Sequence, residues 1–170
     1  TTHFLLGMII ASLIFWNGLR FQPVNFEFKN YDIKLVTITL LCTLALIIQI
    51  ILGGWTSTNY ASLACTDFPR CLGQWWPENM KFENAFRIND LPNINYEGGF
   101  LDYNSKVTVH FIHRLGALLV TILFSILFIY IFYIQKNEIF KKIGIIILVF
   151  FLVQILLGIS NIVHSLQIGR

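Results

Sequence analysis

The sequence predicts an all-α integral membrane protein, a helical bundle of four transmembrane helices with one long external loop. Three observations carry that prediction. The 170-residue chain is 56% hydrophobic and only 12% charged, well below the roughly one-quarter charged residues of a soluble domain. Its apolar residues gather in four stretches, 3–19, 35–55, 107–134 and 143–163, which are apolar all round, as lipid demands, rather than along one stripe. Lysine and arginine are concentrated in the short connections between those stretches. The net charge of +3 contains no basic run, so no nucleic-acid surface is expected.

Each stretch approaches the length of about 20 apolar residues that a spanning helix needs. The first, 3–19, is marginal. The chain opens on Thr1 and enters this stretch almost at once, with no charged leader segment ahead of it. It ends at Arg170, just beyond the fourth stretch. Such abrupt ends are expected of a piece of a longer membrane protein.

Orientation follows from the basic residues of short loops, which stay on the cytoplasmic side. The connection 20–34 carries Arg20, Lys29 and Lys34, and the connection 135–142 carries Lys136, Lys141 and Lys142. The long connection 56–106 mixes four basic residues with six acidic ones. The short loops are therefore expected inside and the loop 56–106 outside. This divides the chain into a histidine-bearing helix, 1–20, and three further helices with their loop, 35–170.

The external loop contains "LACTDFPRC" at 63–71. Cys65 and Cys71 lie outside, where thiols oxidise, and Pro69 stiffens the turn between them. A structural disulfide is expected, with a redox-active bridge or two reduced thiols as the alternatives. Cys42, in mid-span, reads as a small buried apolar residue. Trp75 and Trp76, in "LGQWWP", suit the headgroup level, where an indole keeps its N–H wet. The remainder, 78–106, is too long for an incidental turn and reads as a packed lid.

The chemical signal is "HFIHRLGA" at 110–117. His110 and His113 share a helix face. An ionisable residue inside a span is costly and is usually functional. His113 is expected about 9 Å in from Val107, at 1.5 Å per residue. His3, in "HFLLGM", sits at the external end of its own helix, at a matching depth. The other two spans match each other: "QIILGG" at 49–54 parallels "QILLGI" at 154–159. The order is thus a histidine helix and a Gln-Ile-x-Leu-Gly helix, twice over, as in a duplicated helix pair. Gly53 and Gly158 permit close approach of a helix or of a flat ligand.

Histidines at a shared depth between helices suit haem iron, which neutral imidazole binds. His3 and His113 are the candidate axial ligands. Arg114 could pair with a propionate as a planar fork, and Gly116 leaves room beside a ring. His110 is expected behind the ligands rather than among them, and His164 at the membrane interface. Zinc lacks third and fourth ligands of suitable type. A disulfide-generating oxidoreductase would need a Cys-x-x-Cys pair, which is missing from the sequence. A purely structural four-span protein would leave the paired histidines unexplained.

On "LGGWTSTNYASLACTDFPRCLGQWWP" (52–77), "HFIHRLGA" (110–117), "TTHFLLGM" (1–8) and "QILLGISNIVHS" (154–165), the chain resembles the haem A synthase family. The resemblance implies an eight-helix bundle of two similar halves, of which this chain would supply spans four to seven. It implies oxidation of a ring methyl of haem O to a formyl group by successive hydroxylations, with haem O as substrate and haem b as bound cofactor. His3 would belong to the substrate half and His113 to the cofactor half, so residues 1–170 alone would hold one histidine of each site and be inactive. His110 stands where the family's substrate half has a glutamate. The cysteine loop would be a clasp above the haem pocket. A haem O synthase and an electron donor are the implied protein partners. A bis-histidine b-type cytochrome, used for electron transfer, is the alternative.

Overall fold

A computed structural model describes residues 2–21, 32–87, 99 and 101–168, apart from the side chains of 2, 4 and 164–168. Lys29, most of the loop segment 88–100 and the side chain of His164 lie outside the described residues. The elements are α1 (Thr2–Arg20), α2 (Ile33–Thr58), a one-turn α3 (Phe82–Ala85), α4 (Tyr103–Ile129), which continues as a π-helical turn (Tyr130–Ile134), and α5 (Glu138–Ile168). No strand occurs among the described residues, and the all-α membrane bundle stands.

Among the described residues, three helices are long and apolar enough to cross a membrane: Ile33–Thr58, Tyr103–Ile134 and Glu138–Val163. Among the residues with described side chains, α1 adds a shorter apolar helix, Leu5–Arg20. Large apolar side chains point outward along all four, among them Phe15, Trp16, Leu40, Leu118, Phe150 and Leu156. Such a surface is stable only where lipid or another apolar partner covers it.

The helices outrun the apolar stretches because their ends satisfy themselves. At the end of α2, Thr56 Oγ1 donates to the Leu52 carbonyl at 2.8 Å and Thr58 Oγ1 to that of Gly54 at 2.9 Å. A hydroxyl spent on its own helix costs little in lipid. Helix α4 starts at Tyr103, four residues before its apolar run; Asp102 is its N-cap residue, and Ser105 Oγ donates to the Asp102 carboxylate at 2.5 Å. His113 lies about 15 Å along the helix from Tyr103, and still about 9 Å from Val107. Helix α5 starts at Glu138, where Asn137 Oδ1 accepts from Ile139 N at 2.9 Å and Lys141 pairs with Glu138 at 3.0 Å.

Helices α2 and α4 form the central pair. At one end their core is Cys42 with Val120, Phe124, Leu127, Phe128 and Ile131. Cys42 is 2% exposed and is a packing residue, as the sequence indicates. Phe151 of α5 stacks on Phe124 at 4.8 Å, and Gly144 brings α5 close: a Cβ there would stand 2.9 Å from Ile131. This end is locked by Asp32. Its Oδ1 caps α2 by accepting from Lys34 N and Leu35 N, at 3.1 and 3.4 Å. Its Oδ2 accepts from the Tyr130 hydroxyl at 2.8 Å and from the Gln135 amide. One carboxylate thus ties the start of α2 to the end of α4.

The loop folds onto the other end. Cys65 and Cys71 are joined by a disulfide and are almost completely buried, with Ala64, Val107 and Phe111. Inside that ring, both oxygens of Asp67 accept backbone N–H groups, Leu72 at 2.5 Å and Gly73 at 2.9 Å. Gly73 has φ +77°, which glycine adopts without penalty. Trp76 meets Phe111 edge-on at 5.2 Å, and Arg70 lies over Trp75 at 5.4 Å. Both indoles remain largely exposed, as headgroup-level residues would. Past them, Trp55 Nε1 donates to the Ala85 carbonyl at 2.9 Å and Lys81 N to Thr108 Oγ1 at 2.9 Å. The described part of 78–106 is thus packed on α2 and α4.

Two expectations follow. The Tyr130 hydroxyl bond, ahead of the backbone and Gln135 bonds, holds the Asp32 carboxyl below its ordinary value. A depressed carboxyl stabilises the fold above the unfolded value, and that contribution is lost as pH falls through the folded one. Asp32→Asn keeps a cap oxygen but loses the charge. In detergent it should melt below the parent protein at neutral pH, and the gap should close on acidification below the aspartate range. A gap that stays constant with pH would sink this account. In a Cys42→Ser background, a maleimide should label neither Cys65 nor Cys71 until reductant is added, and both afterwards. Full labelling without reductant would exclude the bridge.

Candidate functional site

His113 lies half-buried in the α2–α4 seam. Gln49 of α2 reaches it: the Gln49 amide nitrogen stands 3.0 Å from His113 Nδ1 and 2.9 Å from the His113 carbonyl. The seam is tight here. A Cβ on Gly53, one turn along α2 from Gln49, would stand 3.1 Å from His113 Cε1. A Cβ on Gly116, one turn along α4 from His113, would stand 2.2 Å from Gln49 Oε1. Gly53 therefore makes room for the imidazole. The space beside Gly116, expected to stand next to a bound ring, is filled by the Gln49 amide.

His110 faces the loop. Cys65 N donates to its Nδ1 at 3.1 Å, and Arg114 Nε approaches its Nε2 at 3.3 Å. A neutral imidazole offers one lone pair, so these two donors compete for the ring. His110 is 4% exposed, and both its nitrogens are turned to protein partners.

Arg114 has a task that its place in the sequence does not reveal. Its Nη1 donates to the carbonyls of Asp67 and Arg70, at 2.7 and 2.8 Å, and its Nη2 to that of Cys65 at 2.8 Å. With Nε directed at His110, four of its five N–H groups are taken. All three carbonyls lie within the disulfide ring. A charge-assisted bond contributes about 1.5–3 kcal/mol, so the guanidinium is the main fastening of the loop to α4. Phe68 packs against it at 6.0 Å.

His3 is exposed on α1, outside the Gln49–His113 contact. Among the described residues, no three His, Cys, Asp or Glu side chains gather where they could hold a metal ion. A group needing one protein ligand per helix is a different matter. His113 has Nδ1 engaged by Gln49, while no hydrogen bond among the described residues reaches its Nε2. Gln49 Oε1 is buried with no partner. A seam imidazole with one nitrogen engaged by a neighbouring helix suits haem ligation once that nitrogen carries the ring proton, which leaves the lone pair on Nε2. Gln49 is the residue that sequence reasoning missed. The signal was present: a polar amide in mid-span, opposite a histidine helix, inside the repeat whose glycines drew attention instead.

The chain is 34% identical over 169 residues to a protein of Shewanella oneidensis named Heme A synthase, covering 99% of this chain and 50% of that one. Proteins of the same name from Wolbachia pipientis subsp. Culex pipiens and Pelagibacter ubique are each 28% identical. They cover 94% and 98% of this chain, and 43% and 44% of their own lengths. The chain thus spans about half the length of the curated relatives it matches. No solved structure matches it. A family model described as a cytochrome oxidase assembly protein matches residues 1–169, and the chain belongs to that family, COX15-CtaA.

Proposed function

We propose that the chain is part of a haem A synthase, with haem O as the substrate whose ring methyl is oxidised to a formyl group by successive hydroxylations. The single observation that carries the site is His113, fixed in the α2–α4 seam by Gln49 at Nδ1, with no hydrogen bond from the described residues at Nε2, in a chain whose relatives are named Heme A synthase. Those names also speak against the alternative, an electron-transfer cytochrome.

In this reading His113 would hold a resident haem b through Nε2, and that group would supply electron transfer beside the reacting haem. Gln49 and Gly53 orient its ring. Arg114 holds the disulfide loop over the α4 end of the site, and its one remaining N–H is available to a propionate. His110 stands between Arg114 and Cys65 and couples ligand helix to loop. His3 is the ligand for the substrate half, and α1 brings it from a separate helix. The relatives are about twice as long, so a partner histidine for each site is assigned to parts of the protein beyond 1–170. The first helix belongs with the N-terminal half, and 35–170 with the C-terminal half.

The protein sits in a bacterial inner membrane with the loop 56–106 on the periplasmic side. Lys34, Lys136, Lys141 and Lys142 at the opposite end support that orientation through the positive-inside rule. A haem O synthase delivering substrate and an electron donor are its expected partners.

The test replaces His113 by Ala in the full-length protein. Bound haem should fall to about half, if each of two sites holds one, and the Soret band should shift. Unchanged haem content with an unchanged Soret position would reject His113 as a ligand.

A further inference from the structure

We propose that Gln49 is the positioning residue of His113. Its amide, wedged between the imidazole and Gly116, sets the ring plane, and whichever amide atom faces Nδ1 sets which ring nitrogen carries the proton. The proposal deepens the haem-ligand reading of His113 and rests on it only for its second test.

The contact is built from both helices. Gln49 Nε2 lies 3.0 Å from His113 Nδ1 and 2.9 Å from the His113 carbonyl, so the amide grips ring and backbone together. Two glycines bracket the pair. At 2.2 Å from Oε1, any Cβ on Gly116 would evict the amide, and at 3.1 Å from Cε1 a Cβ on Gly53 would press on the ring. Small residues at both positions leave the amide and the imidazole one way to lie.

The amide orientation has a chemical consequence. An amide nitrogen only donates, so Nδ1 accepts and the proton of a neutral ring sits on Nε2. A ring in that state has no lone pair at Nε2. The same geometry leaves Gln49 Oε1 buried without a partner, an unfavourable place for an amide oxygen inside a span. Turning the amide over reverses the first. Oε1 then accepts from Nδ1–H, and His113 Nε2 presents its lone pair. The turned oxygen also comes to face the His113 carbonyl oxygen, where the amide nitrogen had donated at 2.9 Å, so this setting costs more than the resting one. Ligand-binding histidines characteristically donate their other N–H to an oxygen. Gln49 thus offers His113 two settings, a resting one with Nε2 protonated and a ligating one with Nδ1 protonated.

Two measurements on the full-length protein in lipid decide it. The first needs no haem. With 15N-labelled histidine, and His113→Ala to assign the signal, His113 in the haem-free protein should show a single fixed tautomer protonated at Nε2. Gln49→Met should give a mixture, and Gln49→Glu, which can only accept, should move the proton to Nδ1. A His113 signal that is the same in the parent and in both variants overturns the proposal, whatever the haem content. The second uses haem-loaded protein. Gln49→Glu should lower the midpoint potential of the His113 haem, because an anionic acceptor makes the imidazole more electron-rich. Gln49→Met should raise it, with haem stoichiometry kept in both. Shifts of the same sign would mark Gln49 as mere packing and overturn the proposal. Unchanged haem in His113→Ala would instead defeat the ligand reading, and the nitrogen spectra would still decide the role of Gln49.

Discussion

The Arg114 guanidinium is the contact on which the rest of this structure depends. It stands one residue beyond His113 on α4, and it donates to three carbonyls of the Cys65–Cys71 ring. The disulfide alone makes the ring compact but does not place it. Arg114 places it, because a rigid planar fork reaches several carbonyls at once where an ammonium would reach one direction at a time. The position of the loop is thereby fixed relative to the very turn of α4 that carries the candidate ligand. His110, one turn earlier, fills the gap between the guanidinium and Cys65 N. Loop and ligand form one unit, and a displacement of either is felt by the other.

A second constraint is that polar atoms inside spans must find partners within the protein. Along α1, Ser12 and Asn17 donate to the carbonyls of Met8 and Leu13, at 2.8 and 3.0 Å, and need nothing else. Thr37, Thr43 and Thr121 do the same on their own helices. Against that background Gln49 is an exception. It spends its donors on another helix and leaves its oxygen without a bond. A long flexible amide does not adopt that arrangement for packing alone when its own helix offers carbonyls. Among the described residues, Gln49 Oε1 is the one buried side-chain oxygen or nitrogen without a hydrogen bond, and it lies beside the candidate ligand.

Much of the fold was legible because lipid simplifies the code. Apolar runs of about 20 residues mark helices whatever their neighbours, and cysteines in the loop between spans pointed to a bridge. The legible part stops where partners lie far apart in the chain. Asp32 locks the hairpin through Tyr130, 98 positions away, and Arg114 finds Asp67 at 47 positions. Neither pairing leaves a periodic trace. The helix ends were underestimated for a related reason: hydropathy counts Thr56 and Thr58 as polar, whereas in the helix their hydroxyls are already satisfied. The room beside Gly116, read from the sequence as space for a bound ring, holds the Gln49 amide, which comes from another helix and leaves no trace near Gly116 in the sequence.

The duplicated Gln-Ile-x-Leu-Gly motif shows what a motif does and does not specify. In α2 its Gln49 and Gly53 close around His113. In α5 the matching Gln154 is exposed, and nothing described stands within 4 Å of where a Cβ on Gly158 would lie. Residue types and spacing are the same, but the surroundings differ. The motif therefore provides a groove of helical pitch with an amide one turn above a glycine, and a histidine helix must supply the rest. That is why the repeat in the sequence located a site without identifying its working parts. The glycine is a space, the amide is a hand, and only the imidazole seated between them turns the pair into chemistry.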